Sequence, residues 1–256
     1  MRTLVVLPTY NEAATIEEVL RRTRSAVEEA EILVVDDGSP DGTADLAEKV
    51  GEEIGGIHVL RRHERMGLGD AYRAGFGWGL ERGAEALVEM DSDLSHDPAS
   101  LPAILAGLVD HDLVIGSRYV PGGSVPRWGL HRLLLSRSGN WYSSVMLGLS
   151  VADSTSGFRA YRASILRAID LDGVKADGYG FQIEMTYRVT QHGGRVLEVP
   201  IRFVDRTLGE SKMSGRIVVE ALVLVTRWGV SRAWSRLRDG ERPLDRLTSE
   251  GTSGTT

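Results

Sequence analysis

The sequence contains no cysteine, which excludes disulfide bridges within the chain and thiolate metal sites. That absence decides no redox compartment, although it suits the cytoplasm. A long hydrophobic run is also missing. No window offers the roughly 18 uncharged apolar residues that a membrane span needs. The nearest approach, Ile217 to Val230, is broken by Glu220 and Arg227. At the N-terminus the apolar stretch Leu4 to Leu7 is too short for a signal-peptide core, and polar residues follow it where a small-residue cleavage site would stand. Basic residues are not in excess: Lys and Arg total 30 against 36 Asp and Glu, a net charge of -6, which speaks against nucleic acid as the main partner. No Gly-x-Gly-x-x-Gly follows the first apolar run, so dinucleotide binding is disfavoured. No internal repeat is visible. These absences leave a protein that is soluble or lies on a membrane surface.

What is present is a chain of 256 residues, 42% hydrophobic and 26% charged, long enough to bury one sizeable core. Its first half alternates short apolar, β-branched runs with helical patterns. Strands are expected at Thr3–Leu7, Glu31–Val35, Ile57–Leu60, Ala86–Met90 and Leu113–Gly116. Helices are expected around Ile16, Val19 and Leu20, over Thr43–Val50, over Ala71–Leu80 despite its glycines, and over Pro98–Val109. Apolar strands separated by helices imply a mostly parallel sheet covered on both faces, with ligands beyond the carboxyl ends of the strands. Polar clusters follow strands in that place: Tyr10-Asn11-Glu12, Asp36-Asp37-Gly38-Ser39, Asp91-Ser92-Asp93 and Ser117-Arg118. The second half reads as helices over Arg127–Val151, Tyr179–Gln191 and Gly215–Arg238, with a strand over Val196–Val204.

Asp91-Ser92-Asp93 is the sharpest chemical feature. Two carboxylates one residue apart at a strand end can share one hard cation that keeps positions open for phosphates. A turn or helix cap explains most Asp-x-Asp pairs, but the position after a buried strand favours the cation. Ser95 can add an oxygen to that shell, whereas Asp97 with Pro98 reads as the cap of the next helix. Asp37, after the second strand, can accept from a base N–H or a ribose hydroxyl. Asp41 reads as a helix cap.

Taken together, Leu7-Pro8-Thr9-Tyr10-Asn11-Glu12, Val35-Asp36-Asp37-Gly38-Ser39, Asp91-Ser92-Asp93 and Gly116-Ser117-Arg118-Tyr119 resemble family 2 glycosyltransferases with a GT-A fold. Further matches run through Gly67-Leu68-Gly69-Asp70-Ala71, Ser154-Thr155-Ser156-Gly157-Phe158-Arg159, Gly180-Phe181-Gln182-Ile183-Glu184 and Gly209-Glu210-Ser211-Lys212-Met213. That combination, covering roughly residues 3 to 215, resembles the polyprenyl-phosphate (dolichyl-phosphate) mannosyltransferases. The resemblance implies a GT-A α/β fold, GDP-mannose as donor, a polyprenyl or dolichyl phosphate as acceptor, inversion at the sugar, and Mg²⁺ or Mn²⁺. It implies that Pro8, Tyr10, Glu12, Val35 and Asp37 hold the guanosine, and that Asp91, Ser92 and Asp93 meet the diphosphate and the metal. The family often has Gln where this chain has Ser95. Arg206 and Lys212 would close over the diphosphate, and Arg118 and Arg137 would clamp the acceptor phosphate, with Arg132 able to replace Arg137. Glu184 either faces the sugar or pairs with a nearby arginine. Rival readings are glucosyl transfer from UDP-glucose, transfer to a soluble acceptor, and a silent nucleotide-sugar-binding protein.

Residues 1–214 are expected to form the catalytic domain, 215–238 an amphipathic helix and 239–256 a disordered tail. Arg127–Val151 and Gly215–Arg238 mix Trp, aliphatic residues and Arg, the pattern of helices lying in a membrane interface or meeting a separate membrane subunit. The place expected for the chain is therefore the cytoplasmic face of a membrane.

Overall fold

A computed structural model describes residues 1–64, 66–205 and 215–238, with side chains of the last segment described over 219–234. The chain alternates β1 (Thr3–Thr9), α1 (Ile16–Ala26), β2 (Glu31–Asp36), α2 (Thr43–Ile54), β3 (Ile57–Arg61), α3 (Leu68–Glu81) and β4 (Ala86–Glu89). A 3-10 turn at Pro98–Ser100 leads into α4 (Leu101–Gly107), then β5 (Leu113–Ser117), α5 (Leu130–Leu147), β6 (Arg159–Arg162), α6 (Ala163–Ala168), α7 (Gly178–Gln191), β7 (Val196–Pro200) and α8 (Gly215–Arg238). The strands form one seven-stranded sheet in the order β3-β2-β1-β4-β6-β5-β7. All neighbours are parallel except β6, which runs antiparallel to both β4 and β5. This is the mostly parallel α/β sheet, with helices on both faces, that the sequence implied.

The strands alternate between two apolar cores. Leu4, Val6, Leu33, Val35, Leu87, Leu113 and Ile115 face one layer, packed with Tyr72 and Phe76 of α3 and Phe181 and Val189 of α7. Val5, Leu7, Ile32, Val34, Val88 and Val114 face the other, against Ile16 and Leu20 of α1, Val50 of α2 and Ile104 of α4. Successive strand residues point to opposite faces, so a strand apolar on both faces must be covered twice. The glycines of α3 are explained by proximity. A Cβ at Gly79 would stand 2.6 Å from Leu4 Cδ2, and one at Gly75 would collide with Val6, so α3 lies close against the sheet because these positions are glycine.

Two elements differ from the sequence reading. β6 and α6 were not expected, and the strand read over Val196–Val204 stops at Pro200, with only an isolated bridge from Ser124 to Arg202 beyond it. α5 is also shorter than Arg127–Val151, beginning at Leu130 and ending at the left-handed Gly148. α8 joins the core of the catalytic layer: Val225 is buried there, Trp228 stacks on Tyr187 at 6.4 Å, and Tyr142 Oη lies 2.7 Å from Thr226 Oγ1. Residues 239–256 lie outside the described residues.

Candidate functional site

β1, β2 and β4 are adjacent and parallel, so the loops after them meet at one edge of the sheet. Their order reverses between β1 and β4, the point where open parallel sheets form a ligand crevice. Hydrogen bonds knit these loops. Ser92 donates its hydroxyl to the Pro8 carbonyl at 2.9 Å, and its own carbonyl accepts from Thr15 Oγ1 at 2.8 Å. The Asn11 N–H donates to Ser39 Oγ and the Glu12 N–H to Thr43 Oγ1, both at 3.0 Å. Pro8 and Val35 are directly paired in the sheet, and the Val35 side chain is buried, so only its backbone can face a ligand.

The loop after β4 presents Asp91 and Asp93 on either side of the tied-down Ser92. Leu94 has φ 62, a left-handed conformation rare for a branched side chain. This turn brings the Ser95 N–H back to Asp93 Oδ1 at 3.0 Å. Ser95 Oγ is buried with no hydrogen-bond partner. Tyr72, buried in α3, points its hydroxyl at Asp91 Oδ1, 3.4 Å away. Two carboxylates and an unpartnered hydroxyl are hard oxygen donors of the kind Mg²⁺ and Mn²⁺ take. Among the described residues no group of three or more His, Cys, Asp or Glu converges on a metal position. The protein shell is thus incomplete by itself, as it is where substrate phosphates supply the remaining ligands.

On the β2 side the adjacent acids have separate tasks. Asp36 is spent on the loop, accepting from Thr9 Oγ1 at 2.9 Å, Ser39 N at 2.8 Å and Ser39 Oγ at 2.6 Å. Asp37 lies 3.2 Å from Arg62 Nε, and Arg62 continues to Asp70 at 2.5 Å. Burial raises the Asp37 pKa despite the Arg62 charge beside it. Asp41 caps the start of α2, accepting from Thr43 N at 3.1 Å, and Asp97 caps the 3-10 turn through Ala99 N at 3.1 Å.

The arginines and Glu184 have defined surroundings. Arg118 is buried, its Nε and Nη2 forked onto Asp153 at 2.7 and 2.6 Å, with Thr155 Oγ1 2.7 Å from Nη2. Burial alone would raise the Asp153 carboxyl, but the Arg118 charge outweighs it and the pKa is lowered. Glu184 accepts from Arg188 Nε at 2.9 Å and from the Ala176 N–H at 3.2 Å, the arginine-paired alternative of the sequence reading. Arg137 stacks over Tyr119 at 5.4 Å; Arg132 stacks over Trp128 at 4.1 Å and pairs with Asp205 at 2.7 Å. Arg206 and Lys212 lie outside the described residues. Sequence reasoning did not single out Asp153, Tyr72, Arg62 or an inward role for His96; none sits in a pattern that sets it apart.

Beside the acids, α5, α7 and α8 enclose an apolar groove of about 620 Å³, open to solvent. Leu135, Ile183, Leu222 and Val225 line its length, with Trp128 and Arg132 among its lining residues. Thr155, the partner of Arg118, and Tyr179 also line it, and Tyr179 senses the charges of both Arg118 and Asp91, so the groove opens beside the polar site.

Residues 4–170 match the model of glycosyl transferase family 2. The chain belongs to that family. It is a glycosyltransferase with the GT-A architecture. It is 55% identical over 238 residues to an undecaprenyl-phosphate mannosyltransferase of Micrococcus luteus, covering 93% of this chain and 98% of that protein. It is 48% identical to a polyprenol monophosphomannose synthase of Mycolicibacterium smegmatis, over 93% of this chain and 90% of the relative. Among solved structures, glucosyl-3-phosphoglycerate synthase of Mycobacterium tuberculosis, in complex with Mn²⁺, UDP and glucosyl-3-phosphoglycerate, superposes with TM-score 0.61 at 24% identity, covering 92% of this chain and 79% of that one. A mannosyltransferase of Pyrobaculum calidifontis, in complex with GDP-mannose and Mn²⁺, gives TM-score 0.57 at 18% identity over 98% and 79% of the two chains. At those identities the structures establish the shared fold.

Proposed function

We propose that this family 2 chain transfers mannose, with inversion, from GDP-mannose to the phosphate of a polyprenyl lipid at a membrane surface. The observation that carries the reading is the apolar groove opening beside Asp91 and Asp93, since it offers a hydrocarbon site next to a diphosphate site. The names of the two curated relatives supply the same sugar and lipid class.

In this reading Pro8, Tyr10, Glu12, Asp37 and the Val35 backbone receive the guanosine. Asp91 and Asp93, with Ser95, hold a divalent cation, Mg²⁺ or Mn²⁺, which neutralises the charge growing on the leaving diphosphate. Arg206 and Lys212 add positive charge from the far side. An acceptor phosphate oxygen is already anionic near neutral pH, so it attacks the anomeric carbon without a general base, from the face opposite the departing GDP. Arg137 and Arg132 orient that phosphate, Arg132 from the groove itself. Arg118, forked onto Asp153, acts by fixing the loop that carries Thr155. Glu184, paired with Arg188, keeps α7 in place beside the sugar.

Reaching a lipid-linked acceptor requires contact with the bilayer, and two stripes support it. Leu130, Leu134, Trp141 and Val145 are exposed along α5, and Val219, Val223, Val230 and Trp234 along α8, each set spaced to share one helix face. Arginines neighbour both, a composition suited to an anionic interface. No helix among the described residues is long and apolar enough to cross a membrane.

The test is to incubate the purified protein with radiolabelled GDP-mannose, Mn²⁺ and a short-chain polyprenyl phosphate, then count label extracted into organic solvent. Label that enters the organic phase with the lipid and not without it supports the reading. Label released only as free mannose would overturn the acceptor assignment.

A further inference from the structure

His96 follows the metal loop and, in the sequence, belongs to the turn leading to Pro98. Its side chain does not take part in the cap, which Asp97 supplies. It turns inward instead, and is 3% exposed. There Nδ1 accepts a hydrogen bond from the Asp91 N–H at 3.2 Å. The ring stacks on Phe158 with centroids 5.1 Å apart and meets the edge of Phe203 at 5.4 Å. Phe158 closes the Ser154–Phe158 loop, and Phe203 lies in the segment that leads to residue 206. A second contact joins these parts: the Val204 N–H donates to the Ser95 carbonyl at 3.2 Å. A Cβ at Gly157 would stand 3.7 Å from Asp91 Oδ1, His96 Cε1 and Gln182 Nε2 alike, so these groups surround one point.

We propose that His96 is a positioning residue for Asp91: its imidazole holds the Asp91 backbone, and so the carboxylate, where a divalent cation and a nucleoside diphosphate meet. This rests on the transferase reading above. The imidazole is neutral, because an accepting Nδ1 puts the proton on Nε2. It carries no proton in the reaction and touches no substrate. Its aromatic clamp leaves the ring a single orientation, so one hydrogen bond fixes the main chain at the first acid of the pair. Groups that orient metal ligands from behind change metal affinity by about 10- to 100-fold when removed.

The test compares His96→Asn, His96→Gln and His96→Leu in the full chain. Asn carries an acceptor at the Nδ1 position; Gln is polar but carries its acceptor further out; Leu keeps bulk alone. Binding of GDP with Mn²⁺ is measured by calorimetry, without acceptor or turnover, beside the Mn²⁺ dependence of transfer. The expected result is near wild-type Mn²⁺ dependence for Asn. Gln and Leu are expected to need about 10-fold or more Mn²⁺ for half-maximal binding, with the acceptor KM unchanged. Gln remains informative if Leu does not fold. Equal Mn²⁺ dependence in wild type, Asn and Gln overturns the proposal, as does an Asn variant as impaired as Gln. Wild-type protein that binds UDP and not GDP would sink the donor assignment alone, and the same variants compared with UDP then test His96.

Discussion

Arg118 and Asp153 form a two-pronged ion pair in the interior, Nε and Nη2 to the two carboxylate oxygens at 2.7 and 2.6 Å. The residues come from loops on either side of the β5–β6 pairing, so the pair joins them across the sheet edge. A buried pair adds little over an apolar pair of the same size, but removing one partner strands the other charge. Asp153→Ala is therefore expected to cost about 3–5 kcal/mol in chemical denaturation. Combining it with Arg118→Met should recover most of that loss. Two single losses that simply add in the double variant would show that the residues do not act as a pair.

Asp93→Ala is expected to abolish mannosyl transfer while leaving the melting temperature within a few degrees of wild type. The side chain packs against no core cluster, and the hydrogen bond from the Ser95 N–H is the contact at stake, worth about 1 kcal/mol. Activity assays paired with thermal melts check this. A variant that unfolds early would make Asp93 part of the scaffold, and one that transfers normally would remove it from the metal site.

The strands buried on both faces were legible because continuous β-branched runs have few other ways to fold. β6 was not. Arg159-Ala160-Tyr161-Arg162 shows no apolar run, yet Arg159 is fully buried and bonded to the carbonyls of Ser154, Ser156 and Gln182. Only tertiary pairing to β4 and β5 makes that segment a strand. The same distinction applies to the site. Asp91, Asp93 and Asp37 announced themselves by following apolar strands, and the Glu184–Arg188 pair by its helical spacing. Asp153 gave no signal, since its partner stands 35 residues earlier. Asp36 and Asp37 looked equivalent, and separate only once the Thr9 and Ser39 hydroxyls are seen to consume Asp36.

Glu89 sits at the end of β4 in full burial, which pushes its carboxyl from 4.5 up to about 7. Between those values the unfolded chain has released its proton while the native carboxyl keeps it. Stability contributed by Glu89 thus falls as pH rises from 4.5 to about 7, and levels off above. Glu89→Gln removes that dependence. In metal-free protein the variant is expected to exceed wild type by on the order of 2 kcal/mol at pH 8, with the gap closing towards pH 4.5. Denaturation curves at both pH values decide it; a gap that does not change with pH contradicts the assignment.

Trp141 and Trp234 are 68% and 69% exposed on the α5 and α8 stripes. Replacing both with Glu is expected to lower sedimentation with anionic vesicles at least about fivefold, through lost apolar burial and added charge repulsion. Transfer to a short, detergent-dispersed acceptor should persist. Unchanged vesicle binding would place the membrane contact elsewhere.

The central claim is a mannosyl donor, a polyprenyl phosphate acceptor and a divalent cation acting at one site. The most direct measurement supplies GDP-mannose and UDP-glucose together, carrying different isotopes, with polyprenyl phosphate and Mn²⁺, and follows both labels into the organic phase. The account predicts mannose label alone, lost on adding EDTA or on omitting the lipid. Glucose label in the lipid product, or mannose transfer that persists in EDTA, would contradict it.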